Sequence, residues 1–161
     1  MRRSVGKQAD PDLGMLTGRV LFNLQKELFE TLARRGHPGL RPRHGAVMVY
    51  LDAEGSRATE LSQQSGQHKQ VISTLVDELT ALGYVRREPD PQDRRAKLVV
   101  PTALGLDMMS TSDAIVAGIE RRHAEELGED VYAGFKRAFQ RIAELQVAWR
   151  ERIPGQATGE A

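Results

Sequence analysis

The apolar positions fall into helical spacing at both ends of the chain and change character in the middle. From Leu13 to Arg34, Leu16, Val20, Leu24, Leu28 and Leu32 recur at steps of four, which predicts a helix with one apolar face. Leu21, Phe22 and Phe29 widen that face beyond what one packed stripe needs, so a second element or a second subunit should cover it. A breaker-rich loop, Arg34 to Gly39, follows. Leu40 to Asp52 predicts a short helix, with Pro42 suited to its first turn. After Thr102 the pattern is helical again. Leu104, Met108, Ile115 and Ile119 mark one long helix, Leu127 to Asp130 breaks it, and Val131 to Ile153 forms the last.

The central stretch, residues 57–105, combines both periods. Leu61 belongs to a first short helix. Ile72, Leu75, Val76, Leu79 and Leu82 then lie on one face of a second, with Lys69, Gln70, Ser73, Thr74 and Asp77 opposite. Between the two helices stands Ser65-Gly66, where glycine can take the positive φ that a sharp turn needs. Gly83 ends the second helix. Tyr84 to Glu88 and Ala96 to Val100 are predicted strands, separated by a seven-residue tip with two prolines and two aspartates. Thr102 is placed to cap the next helix. A helix-turn-helix followed by a two-stranded hairpin is a winged helix.

These residues carry a resemblance. The T-E-L-S of Thr59 to Ser62, L-V-D-E-L of Leu75 to Leu79, L-G-Y-V of Leu82 to Val85, D-P-Q-D-R-R of Asp90 to Arg95 and P-T-A-L-G of Pro101 to Gly105 are similar to those of the MarR family of bacterial transcriptional regulators. The expected fold is mainly α (α+β): a winged helix-turn-helix over 40–105, flanked by dimerisation helices over 13–35 and 113–153, in a single domain spanning 1–161. The width of the terminal stripes argues for the same homodimer that the resemblance implies.

Composition narrows the chemistry. The absence of cysteine excludes disulfides, thiolate metal sites and thiol-based sensing. Four dispersed histidines, His37, His44, His68 and His123, offer no paired-ligand spacing, and His37 and His123 read as surface residues. Net charge is +1, but it is unevenly spread: residues 1–56 balance to +3, 57–105 to +1 and 106–161 to −3. A contact with DNA must therefore be local. Residues 1–12 read as a mobile tail without the apolar core of a signal peptide, no apolar run is long enough for a membrane helix, and a cytoplasmic location is expected. There is no phosphate-binding glycine loop, nucleophile elbow or metal motif, so neither catalysis nor a cofactor is implied.

In a winged helix facing DNA, the second helix enters the major groove by its first turns, which here expose Gln67, His68, Lys69, Gln70, Ser73 and Thr74. Gln70 suits adenine, and Lys69 suits guanine or phosphate. Relatives often have arginine where this chain has Thr74, which shifts binding toward the wing. There, Arg94 and Arg95 form the tip and Lys97 lies on a strand, with Arg86 and Arg87. An arginine at a hairpin tip can enter a narrow minor groove, a role the resemblance implies for Arg95. Asp93 is expected to orient one arginine through a bidentate pair. The resemblance also implies release of DNA by a small aromatic or anionic effector, in a crevice lined by Leu16, Arg19, Val20, His44, Met48, Met108 and Met109. The competing reading is a winged helix used only for protein contact, which has no need of an arginine-tipped wing.

Overall fold

The computed structural model describes residues 10–152 apart from Arg94. Among these residues are six α-helices, a 3-10 turn and a three-stranded sheet. Helix α1 (Leu13–Arg34) begins where predicted. Asp12 belongs to its start rather than to a tail, because its carboxylate caps the helix by accepting from the Met15 N–H at 2.9 Å. A 3-10 turn (Pro42–His44) leads into α2 (Gly45–Met48). Then follow β1 (Ser56–Arg57), α3 (Ala58–Ser65), α4 (Lys69–Ala81), β2 (Val85–Pro89), β3 (Lys97–Pro101), α5 (Ala103–Leu127) and α6 (Glu129–Arg152).

The helix expected over Leu40 to Asp52 is much shorter. Proline is tolerated only in a first turn and glycine weakens a helix interior, so regular α-helix is confined to Gly45–Met48 and the chain leaves it at Val49. The wing is also not a lone hairpin. Strand β3 pairs antiparallel with β2 on one side and with β1 on the other, Ser56 facing Val99. That third strand ties the entrance of the helix-turn-helix to the wing.

The chain divides into two compact units, one up to Val116 and one from Ala117 onward. In the first, α2, α3 and α4 pack on one another, and α3 and α4 also pack against the sheet. Val47, Leu61, Ile72, Val76 and Leu79 are fully buried there, with Leu32, Tyr84, Val85, Val99 and Met108 close behind. The predicted stripe of α4 is therefore its core face, except that Leu82 lies at the C-cap and is exposed. Gly83, with φ of 82°, turns the chain out of α4. Gly105 is required for a different reason: a Cβ there would stand 2.1 Å from the carbonyl oxygen of Tyr84, so α5 reaches the end of the wing only because the side chain is absent. Thr102 accepts from the Gly105 N–H and donates to the carbonyls of Gly83 and Tyr84, which makes it both cap and staple.

In the second unit, α5 ends at Gly128, with φ of 88°. Lys136 bonds both carboxylate oxygens of Glu120 at 2.9 Å, an interaction that raises the lysine pKa. Phe135 and Phe139 stack at 5.5 Å, yet both are exposed, as are Val131, Ile142 and Trp149. Helix α1 likewise exposes Leu13, Leu16, Val20, Leu21 and Phe22, the last to 68%.

His37 is not a surface residue. It is 2% exposed, packed 5.8 Å from the ring of Tyr84, and its Nε2 lies 3.3 Å from the Asp107 carboxylate. His123 is exposed, beside the ring of Tyr132.

Candidate nucleic-acid interface

The helix-turn-helix is held by its own serines. The Glu60 carboxylate accepts from the Arg57 N–H and closes the first turn of α3. At the far end of α3, Ser65 Oγ donates to the Leu61 carbonyl and accepts from the Gln67 N–H. Ser62 Oγ donates to the Gln67 carbonyl at 2.6 Å. Gly66, with φ of 68°, supplies the left-handed residue that the turn needs. An open hollow of about 570 Å³ lies over this turn, lined by Ser62, Gln63, Gly66, Gln67, His68, Lys69 and Gln70.

Helix α4 starts at Lys69, with His68 as an extended N-cap whose side chain makes no capping bond. Gln67, His68, Lys69, Gln70, Ser73 and Thr74 are all exposed, so the six residues expected to face outward do so. Thr74 donates its hydroxyl proton to the Gln70 carbonyl at 3.1 Å. Val71, absent from the expected set, is also exposed, to 43%.

Two ionic anchors fix the later turns of α4. The His44 ring accepts from the Arg41 N–H through Nδ1 and donates from Nε2 to Glu78 at 2.9 Å. Arg43 reaches the same carboxylate oxygen, also at 2.9 Å. The His44 bond, helped by Arg43, holds the Glu78 carboxyl below its ordinary pKa. Further along, Arg87 on β2 bonds Asp77 at 2.5 Å. Arg87 is therefore committed to α4, and Arg86 to Glu88 and the Pro101 carbonyl.

Two carboxylates shape the wing, Asp93 within the tip and Asp90 at its start. Asp93 accepts from the backbone N–H of Arg95 at 3.0 Å and shapes the tip, as an Asx turn does. Asp90, which is 4% exposed, holds a guanidinium. It receives Arg57 Nε at 2.7 Å and a second, shorter contact from the same guanidinium, while its other oxygen accepts from the Gln92 N–H. The Gln92 bond, then Arg57, holds the Asp90 carboxyl below the usual range despite its burial, and Asp90 raises the pKa of Arg57 in return. This latch joins the N-cap of α3 to the start of the wing's tip. The hairpin turn itself closes through Asp90 N–H to Ala96 O and Ala96 N–H to Asp93 O. Arg95 and Lys97 are exposed at its outer end, and Arg94 lies outside the described residues.

The expected effector-pocket residues have mixed placements. Leu16, Arg19 and Val20 are exposed on α1. Met48 and Met108 are buried and Met109 is half-buried. His44 is buried with both ring nitrogens already bonded, to Arg41 and Glu78, so it has no free atom for an anion. The sequence reading also missed the Arg57–Asp90 and His44–Glu78 pairs. Their partners stand 33 and 34 positions apart, and no local spacing announces them. For Val71 a signal existed: it is apolar yet falls off the stripe of α4.

This arrangement has close counterparts. A family model described as the MarR family matches residues 39–96. A curated relative, the uncharacterised HTH-type transcriptional regulator YcgE of Bacillus subtilis (strain 168), is 46% identical over 53 residues, which is 33% of this chain and 34% of that protein. The match thus spans about a third of that relative's length. CouR from Rhodococcus jostii RHA1, solved with p-coumaroyl-CoA, is 29% identical, with 92% of this chain and 96% of that one covered at a TM-score of 0.66. A MarR-family transcriptional regulator from Rhodococcus sp. RHA1 is 30% identical, with 82% of this chain and 92% of that one covered at a TM-score of 0.65. Winged-helix geometry, motif and similarity along almost the whole of a relative agree, and the chain belongs to the MarR family of transcription regulators.

Proposed function

We propose that this protein represses transcription by binding a palindromic DNA operator as a homodimer, and that a small ligand releases it. The observation that carries the reading is the pairing of two exposed, rigidly backed elements in one unit. The first turns of α4 present Gln67 to Thr74, while Glu78 and Asp77 tie the later turns to His44 and Arg87. The wing presents Arg95 and Lys97, while the Arg57–Asp90 latch fixes the start of its tip. Side chains reading base edges and cations meeting phosphates are the two contributions a duplex requires. In this reading Gln67, His68, Lys69, Gln70, Ser73 and Thr74 face the major groove, Arg95 enters the minor groove, and Arg94 and Lys97 meet the backbone.

The exposed apolar faces of α1 and of α6 support a second copy as their cover, since monomers rarely leave such stripes open. A two-fold dimer would engage half-sites roughly 34 Å apart, one turn of DNA. The test is selection of bound sequences from random duplex DNA by the full chain, with the oligomeric state measured in parallel. An inverted repeat bound by a dimer supports the reading. A monomer, or a protein with no salt-dependent affinity for duplex DNA, would return the winged helix to a protein-contact module. Arg95→Ala should weaken binding to every duplex and reduce the salt slope by about 1; an unchanged slope refutes the minor-groove role.

For the ligand, CouR with p-coumaroyl-CoA supports an aromatic or anionic effector here. Because His44 is already bonded on both nitrogens, Arg19 is the cation left to hold an anion, with Leu16, Val20, Met48, Met108 and Met109 offering apolar contact. Aromatic carboxylates and their coenzyme A thioesters, titrated against the preformed DNA complex, should displace it. Retention of DNA across the whole panel would remove the ligand from the proposal.

A further inference from the structure

The outward face of α4 is less polar than a solvated helix would have it. Ile72, Leu75, Val76 and Leu79 complete the core, whereas Val71 keeps 43% of its surface exposed. Helix formation does not call for it, because a β-branched residue is a weaker helix former than most. Three positions on, Thr74 is exposed as well, and its hydroxyl proton is spent on the Gln70 carbonyl at 3.1 Å. What Thr74 retains for a partner is its γ-methyl and a weak acceptor. Residues three apart are neighbours on a helix surface. Val71 and Thr74 therefore form a small methyl-bearing patch, flanked by Gln70 and Ser73, within the first two turns of α4. In a major groove, the one apolar feature a base pair offers is the C5-methyl of thymine, and it is recognised by aliphatic contact.

We infer that Val71 and Thr74 read a thymine methyl in each half-site, so that specificity at that position comes from an apolar contact beside the hydrogen bonds of Gln70. The inference rests on the proposed binding of α4 in the major groove. It also assigns Thr74 a positive role: a methyl contact that distinguishes thymine from the other three bases.

The experiment uses the full chain and its selected operator, with each thymine replaced in turn by deoxyuridine, which lacks only the C5-methyl. At one thymine per half-site the replacement should weaken binding on the order of fourfold, the value of one buried methyl. Val71→Ala and Thr74→Ser should each shrink that difference, because the variants bind the thymine and uracil duplexes more nearly alike. Thr74→Ser keeps the hydroxyl and its bond to Gln70, so a loss of discrimination there reports the methyl alone. If the protein binds its operator but every uracil duplex binds within experimental error of the parent, the inference is overturned while DNA binding stands. It is equally overturned if discrimination persists undiminished in both variants. If no duplex is bound at all, the DNA reading itself fails, and this inference with it.

Discussion

Replacing Gly105 by alanine should destabilise the protein, although glycine to alanine within a helix ordinarily does the reverse. Alanine gains about 1 kcal/mol over glycine in a helix interior, and less in the first turn, where Gly105 stands. Against this, the new Cβ would lie 2.1 Å from the Tyr84 carbonyl oxygen and 3.2 Å from Pro101 Cβ. Carbon and oxygen rest comfortably at about 3.3 Å, so α5 must retreat by roughly 1 Å. Tyr84 O also accepts from the Thr102 N–H at 3.0 Å and the Thr102 hydroxyl at 3.2 Å, and a retreat of that size stretches both past useful range. Their loss costs about 1 kcal/mol each, and strain from overfilling a packed contact adds about 1–3 kcal/mol. The net effect is about 2–4 kcal/mol of lost stability. At about 2–4 °C per kcal/mol for a chain of this size, Tm should fall by roughly 5–15 °C in a thermal melt followed by circular dichroism. The internal control is Gly118→Ala in the same helix, where a Cβ meets nothing within 4 Å. That variant should gain up to about 1 kcal/mol. If Gly105→Ala melts with or above the parent, the close approach of α5 to the wing is wrong.

The wing latch has a pH signature. The Asp90 carboxyl is held below its usual pKa by the Gln92 N–H and Arg57, so its stabilisation is complete above about pH 4, the ordinary aspartate value, and is lost as pH falls through the lower folded value. Asp90→Asn should lower Tm at neutral pH and flatten its decline in acid; parallel profiles for parent and variant would show that the latch contributes nothing. At the recognition helix, Gln70→Ala should relax preference at one position of the selected operator while leaving non-specific affinity nearly intact. An unaltered preference across single-base operator variants would take Gln70 off the base edges.

How much of this was legible in the residues depends on the range over which each feature is determined. Local features were visible. The stripe of α4, the glycine at the turn, the end of the helix at Gly83 and the Thr102 cap are each set by a few neighbours, and each stands within a residue of its expected place. Features set by partners far along the chain were not. Strand β1 has only two residues, too few for any periodicity, and exists because Val99 and Leu98 offer it a ladder. His37 looked like a loop histidine until Tyr84 and Asp107 closed around it. Asp90 pairs with Arg57 at the other end of the motif, a partner that no local spacing announces. Val71 is the instructive intermediate. Its helix and the phase of the core stripe were both readable, and together they place an aliphatic side chain off the core face. A residue that breaks the pattern of a well-predicted helix can be identified without a structure. The structure adds what neighbours it: Thr74, whose hydroxyl is turned inward to the Gln70 carbonyl, so that two methyl-bearing side chains stand together where a polar surface was expected.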